Sequence, residues 1–139
     1  MIKKTVSKLS VSLIVIIFLI LVPESCTKEE GEGGNASIRG KVYAKYYNKT
    51  FTILLGEGYA PEVDVYIIYG DDFSYGDRIR TNYNGAFEFK YLRKGNYKVY
   101  AYSKDSTMMD PSDKLPVIAD VKISDKNETI EIQDLVIFN

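Results

Sequence analysis

Residues 81–99 read TNYNGAFEFKYLRKGNYKV, and this stretch decides the fold of the 139-residue chain. Phe87 and Phe89 alternate with charged residues, which is the pattern of a strand that buries one of its faces. The Asn-Gly pair at 84–85 supplies the positive φ angles that a tight hairpin turn requires. A second glycine-containing turn leads into residues 97–103, where apolar and polar positions alternate again. The stretch therefore predicts consecutive β-strands joined by short turns.

The same alternation continues on both sides of this stretch. Further strands are predicted over residues 37–45, 51–55, 63–69, 77–81, 117–123 and 129–137. The last of them changes phase near Gln133 and Asp134, where a β-bulge would restore the alternation. No helical pattern follows residue 26, and about seven short strands with regular turns predict an all-β fold, a Greek-key β-sandwich.

The amino-acid composition excludes several kinds of metal site and catalytic site. It has no histidine and a single cysteine, so zinc, haem and iron–sulfur sites lack their usual ligands. Ser-His and Cys-His nucleophile pairs are absent for the same reason. The net charge is −1 and no block of basic residues stands out, so a nucleic-acid partner is not indicated. We predict a protein that is not an enzyme and holds no metal or cofactor. The rival is a hydrolase with two buried carboxyl groups facing each other in a cleft.

The N-terminus has the layout of a bacterial lipoprotein signal. Lysines precede an apolar run over residues 11–22, and Cys26 follows with the small residue Ser25 before it. The run is shorter than the ~20 residues that a spanning helix needs, which disfavours a transmembrane anchor. The other alternative is an ordinary free thiol behind a secretory signal. The signal therefore predicts a mature chain that starts at Cys26, carries lipid there and is tethered to a membrane.

These features divide the chain into three predicted parts. They are a lipoprotein signal peptide over residues 1–25, a lipidated flexible tether over 26–36 and a β-sandwich domain over 37–139. The glycine-rich residues 31–34 have too little apolar content to pack, which is typical of a flexible linker.

Two details of the N-terminus resemble lipoproteins of Bacteroidetes. Pro23 stands where most lipoboxes have leucine, and Glu24 follows it. Lys28, Glu29 and Glu30 resemble the signal that sends such lipoproteins to the outer face of the outer membrane. The resemblance implies an outer-membrane protein that faces the cell exterior, with the periplasmic face as the alternative.

Three segments of the predicted domain resemble a known family. They are Gly40-Lys41-Val42, the run TNYNGAFEF at 81–89 and the run LRKGNYKV at 92–99. Together they are similar to carboxypeptidase regulatory-like and Cna-B-like domains, which have a transthyretin (prealbumin)-like sandwich. The resemblance implies that the glycines of these segments form turns and that their large apolar residues fill the core. It also implies a spacer, an adhesion module or an accessory domain.

Tyrosines are the candidate binding residues. Alternation places Tyr66, Tyr100 and Tyr102 on outward faces, and the transthyretin-like strand order would put them in one sheet. Tyr43 faces outward on the first strand, in the other sheet. Tyrosine gives rigid, amphipathic contact area, so this set is a candidate face for a glycan or a protein partner. The alternative is that tyrosine only suits exposed sheet surface.

Ser106 is a candidate modification site. Asp105-Ser106-Thr107 matches the short motif at which Bacteroidetes attach O-glycans to exported proteins. The motif falls in a polar crossover predicted over residues 104–116, which is an exposed context.

Taken as a whole, the sequence predicts a non-catalytic, lipid-anchored module of the cell envelope. It would act as a binding or accessory subunit of an outer-membrane assembly, with an outer-membrane protein or a glycan as partner. A glycan-binding module and a passive spacer are the alternatives. The spacer predicts that no continuous apolar or aromatic patch lies on the surface.

Overall fold

The computed structural model describes residues 29–139, and β-strands supply all of their regular secondary structure. The strands are β1 (Glu32–Tyr47), β2 (Leu54–Tyr59), β3 (Asp64–Tyr69), β4 (Asp77–Arg80), β5 (Ala86–Leu92), β6 (Gly95–Ser103), β7 (Leu115–Ile123), β8 (Thr129–Glu131) and β9 (Leu135–Phe138). Within the described residues, no helix has the length and apolar character that a membrane crossing requires.

The strands form two sheets, so the predicted all-β, sandwich-like architecture is confirmed. In the first sheet, β1 pairs antiparallel with β2 and β5, and parallel with β8 and β9. The second sheet has the order β4-β3-β6-β7 with every neighbour antiparallel. Apolar residues from both sheets meet in one core, and burying each large side chain stabilises the fold by about 1.5–3 kcal/mol.

The core consists of the residues that alternation selects. Phe87, Phe89, Leu92 and Tyr97 are all buried, as the pattern over residues 81–99 predicts. The predicted bulge in the last strand is also confirmed. The pairing offset to β1 changes by one residue between β8 and β9, because Ser37 pairs with Thr129 and Val42 pairs with Leu135. One extra residue therefore separates the two pairings.

The predicted hairpin at Asn84-Gly85 is wrong, although the turn exists. β4 pairs with β3 and β5 pairs with β1, so the turn carries the chain from one sheet to the other. Only Gly85 has a positive φ there. Its carbonyl accepts the Val42 amide of β1 at 2.9 Å, and the Asn82 side chain accepts the Ala86 amide at 3.0 Å. These bonds fit a corner between sheets as well as they fit a hairpin.

The extra strand predicted over residues 51–55 lies later in the chain. β2 starts at Leu54 and runs through both glycines, Gly56 and Gly58, that were expected to end it. Before it, the Asn48 side chain accepts the backbone amides of Thr52 and Ile53, which shapes a loop. Pairing with β1 therefore sets where β2 begins and ends, and it outweighs the low strand propensity of glycine.

The flexible linker predicted over residues 31–34 is also wrong. β1 begins at Glu32, five residues before the predicted domain boundary, and Ala36 is fully buried. The Gly31 amide donates to the hydroxyl of Tyr97 at 3.1 Å, and the Gly31 carbonyl accepts the Arg93 amide at 2.9 Å. Backbone hydrogen bonds fix this segment against the start of β6, although its own side chains bury little apolar surface. Cys26 and Lys28 lie outside the described residues.

Candidate ligand-binding face

The outer face of the second sheet carries a group of tyrosines in direct contact. Tyr66 of β3 lies opposite Tyr100 of β6 in register, and Tyr100 lies opposite Ile118 of β7. The intervening residues of β3 and β6, including Val65 and Val99, point inward and are fully buried. The alternation that builds the core therefore forces these tyrosines to the outside.

Four rings make up what we call the tyrosine face: Tyr66, Tyr75, Tyr100 and Tyr102. Tyr66 and Tyr100 stack with their ring centroids 5.0 Å apart and 14° between planes. Tyr75, from the loop between β3 and β4, meets Tyr66 edge-on at 5.0 Å. Tyr102 meets Tyr66 at 5.6 Å and Tyr100 at 5.5 Å, also edge-on. Such contacts stabilise ring positions by about 0.5–1.5 kcal/mol each, so the face is preorganised.

The rings divide into a base and an exposed part. Tyr100 is only 8% exposed because its neighbours cover it, so the prediction that it lies open on the surface is wrong. Tyr75 and Tyr102 are 51% and 43% exposed and present the accessible ring surface. Burial, followed by the proximity of Tyr102, raises the pKa of Tyr100 to about 12. The base of the face is therefore uncharged at neutral pH.

The surroundings of the tyrosine face are apolar on one side and charged on the other. Ile118 of β7 is exposed beside it, opposite Tyr100 in register. On the β4 side, Arg80 donates to Asp64 at 3.0 Å, and this hydrogen bond is the main cause that raises the pKa of Arg80. Within residues 29–139 the hydroxyls of Tyr66 and Tyr75 make no hydrogen bond.

Tyr43 does not join the tyrosine face. It lies on β1 in the first sheet and packs edge-on against Tyr59 with ring centroids 5.3 Å apart. The Tyr59 hydroxyl donates to Asp134 at 3.1 Å, and the Lys41 ammonium lies 4.6 Å from the centre of the Tyr59 ring. The sequence prediction thus identifies three members of the face and one residue of a separate aromatic pair.

Tyr75 and Ile118 are the members of this surface that the prediction did not select. Tyr75 lies in a loop, where no periodicity indicates which way a side chain points. Ile118 belongs to the predicted strand 117–123, but on the face opposite to the apolar set. A single exposed apolar residue is common on protein surfaces, so the sequence alone does not select Ile118.

Asp105 and Ser106 lie in the loop between β6 and β7 in different environments. Ser106 is exposed, as predicted, whereas Asp105 is only 1% exposed. The Asp105 carboxylate accepts hydrogen bonds from the Thr107 hydroxyl and from the amides of Thr107, Met109 and Asp110. These bonds, the one from the Thr107 hydroxyl first, lower the pKa of Asp105 to about 2. The carboxylate therefore organises the loop around Ser106.

The described residues offer little material for acid–base or metal chemistry. Among residues 29–139, Asp105 is the one buried carboxyl group, and its oxygens are occupied by the loop. The same part of the chain contains no group of three or more His, Cys, Asp or Glu residues able to hold a metal ion. Two buried carboxyl groups facing each other in a cleft, which the rival hydrolase needs, do not occur within this part.

Comparison with known proteins shows a structural likeness but no sequence match. No protein-family profile matches the chain, and no curated protein sequence matches it. A solved structure from Pseudomonas aeruginosa, described as a candidate carbohydrate-binding protein, is similar with a TM-score of 0.47 and 12% identity. The similarity covers 84% of this chain and 97% of that one.

Proposed function

We propose that the chain is a non-catalytic binding module of the cell envelope, and that its tyrosine face binds a glycan. The observation that carries this proposal is the continuous contact of Tyr66, Tyr75, Tyr100 and Tyr102 on one sheet surface. A passive spacer would need no such patch, and large exposed aromatic patches usually mark interaction sites.

The chemistry of the tyrosine face suits a sugar. Exposed ring surface at Tyr75 and Tyr102 can pack against the C–H face of a pyranose, while nearby phenol hydroxyls can bond its hydroxyl groups. The stacked pair Tyr66–Tyr100 holds these rings in place, so little side-chain entropy is lost on binding.

Removing the exposed rings tests this proposal. Tyr75→Ala and Tyr102→Ala should each weaken glycan binding by about 1–2 kcal/mol, roughly tenfold, because each ring supplies stacking area. Tyr83→Ala is the matched control, since Tyr83 is 89% exposed in the turn between β4 and β5, away from the face. The measurement is binding of the full chain to a glycan array, followed by titration with the retained glycans. An absence of glycan binding, or equal losses in all three variants, would refute the proposal.

We further propose that the chain is a lipoprotein anchored by Cys26 and displayed on the outer face of the outer membrane. The signal layout before Cys26 supports the anchor, and Lys28, Glu29 and Glu30 support the surface location by their resemblance to Bacteroidetes export signals. The finer fold that we propose is the transthyretin-like Greek key of the carboxypeptidase regulatory-like and Cna-B-like domains. Firm anchoring needs more than one acyl chain on the cysteine.

A second candidate function is an accessory subunit of an outer-membrane assembly. The observation that favours it is the edge of β2, which pairs with β1 on one side and with no further strand among the described residues. Leu54 and Leu55 at the start of β2 are exposed, as is Ile53 just before it. An open apolar strand edge is a common docking site for a partner strand, because its backbone groups are free to pair.

Anchoring, location and partnership are tested together on the native protein. Intact cells of the host are crosslinked in one sample and treated with an external protease in another. The intact mass of the protein purified from untreated cells is measured by mass spectrometry. We expect loss of the protein on shaving, a crosslinked outer-membrane partner if the second function holds, and a mass equal to the chain from Cys26 plus several acyl chains. A glycan on Ser106 would add sugar mass to this value.

Each result decides one part of the proposal. Protection from protease would place the domain on the periplasmic face. A mass without acyl chains would remove the lipid anchor, and a mass of peptide plus lipid alone would remove the Ser106 glycan. Exposure without a crosslinked protein would leave the glycan-binding function as the sole proposal.

A further inference from the structure

A basic pocket lies where the start of β1 meets the corner between β5 and β6. It has a volume of about 410 Å³ and is lined by Arg93, Lys94 and Lys126 together with Leu92 and residues 33–35. The pocket exists because β1 bulges there. Glu32 and Ala36 both register with Leu92, so residues 33–35 have no partner in β5.

The three cations of this pocket have no acidic partner. Within residues 29–139, none of them takes part in an ion pair. Glu128 lies close enough to Lys94 to interact with it, and its carboxylate accepts the amides of Ser124 and Asp125 at 2.8 and 3.1 Å. These two bonds, with a smaller contribution from Lys94, lower the pKa of Glu128. Glu128 is therefore ionised, and its carboxylate is engaged in hydrogen bonds within its own turn.

Arg93 carries the strongest indication of a ligand. Its Nε is the one buried side-chain nitrogen or oxygen without a hydrogen-bond partner in the described part of the chain. Its Nη1 makes only a long bond of 3.4 Å, to the Glu29 carbonyl. The guanidinium lies against Gly33, where a Cβ would come within 2.9 Å of Nη2. A buried donor without an acceptor costs about 1–3 kcal/mol, and a rotation of the guanidinium into the pocket would let a ligand oxygen offset this loss.

We infer that this pocket binds a phosphate group, with Arg93 as the principal donor and Lys94 and Lys126 as supporting charges. The fork of a guanidinium matches two oxygens of a phosphate, and the two ammonium groups neutralise its remaining charge. The phosphate belongs either to an anionic lipid headgroup or to a soluble phosphorylated compound. Only six residues lie between Cys26 and Gly33, which allows at most ~25 Å of chain. The lipid source rests on the proposed anchoring.

The test follows the side-chain resonance of Arg93 directly. The full chain is reconstituted in phosphatidylcholine nanodiscs, and the Arg93 Nε–H signal is recorded by NMR during titration with inorganic phosphate. A parallel series replaces part of the phosphatidylcholine with phosphatidylglycerol. We expect a saturable shift of this signal, and Lys94→Glu with Lys126→Glu should weaken phosphate binding about tenfold. Lys49→Glu and Lys104→Glu together are the control, because they make the same charge change elsewhere.

The outcomes distinguish a soluble phosphate from a lipid headgroup, and they test the phosphate site separately from the tyrosine face. A shift with inorganic phosphate alone assigns the pocket to soluble phosphorylated compounds, and a shift with phosphatidylglycerol assigns it to lipid headgroups. No shift in either series would overturn the site, as would an equal loss in the control variant. Arg93→Lys keeps the charge but removes the fork. Its phosphate affinity is measured from the backbone amide shifts of residues 33–35, and an unchanged affinity would also overturn the site. None of these results depends on the tyrosine face.

Discussion

Gly34→Ala is expected to destabilise the fold by about 3 kcal/mol, because a Cβ at position 34 would overlap the backbone carbonyl of Leu92. Neither backbone can move away easily. Leu92 is 1% exposed and ends β5, and residue 34 lies in the bulge between two pairings of β1 with Leu92. The conformation of Gly34 itself is not left-handed, so the loss would come from crowding and not from a positive φ.

The measurement is urea unfolding of the full chain, compared with Gly56→Ala as a matched control. A Cβ on Gly56 of β2 would meet no atom within 4 Å, so that variant should stay within about 0.5 kcal/mol of wild type. Equal stability of the two variants would contradict the placement of residues 31–36 against β5. It would return that segment to the flexible tether that its composition predicts.

Tyr97→Phe is the second large effect, with an expected loss of about 2 kcal/mol in the free energy of unfolding. The Tyr97 hydroxyl donates to the Arg93 carbonyl at 2.7 Å and accepts the Gly31 amide at 3.1 Å. The hydroxyl thus closes the corner between β5 and β6 and also holds the segment that precedes β1. Phenylalanine would keep the ring in the core but leave a buried donor and a buried acceptor unpaired.

Two measurements check this prediction. Urea unfolding gives the stability loss, and hydrogen exchange of the Gly31 amide should become faster, because its acceptor is removed. Tyr91→Phe is the control, since Tyr91 lies on the neighbouring strand with its side chain exposed. Unchanged exchange at Gly31 together with an unchanged stability would show that the Tyr97 hydroxyl does not hold the corner.

The tyrosine face shows which residues of a candidate site can be predicted from the sequence. Period-two alternation in β3 and β6 places Tyr66, Tyr100 and Tyr102 on the outside, and the structure places them there. Alternation does not say which ring covers which, so the burial of Tyr100 and the arrival of Tyr75 from a loop were not predictable. The basic pocket was also out of reach, since Arg93 and Lys126 meet only through the folded chain.

The sequence by itself determined the class of fold and the core. Alternation selects Phe87 and Phe89 for burial, and a phase change near Gln133 marks the bulge between β8 and β9, because the side-chain period of a strand is a local property. Pairing partners are not local. The bonds of the turn at Asn82–Gly85 suit a hairpin or a corner equally, and the glycines at 31–34 suit a linker or a close-packed strand. Only the tertiary structure decided these cases, because the hydroxyl of Tyr97, the carbonyl of Leu92 and the edge of β1 come from distant parts of the chain.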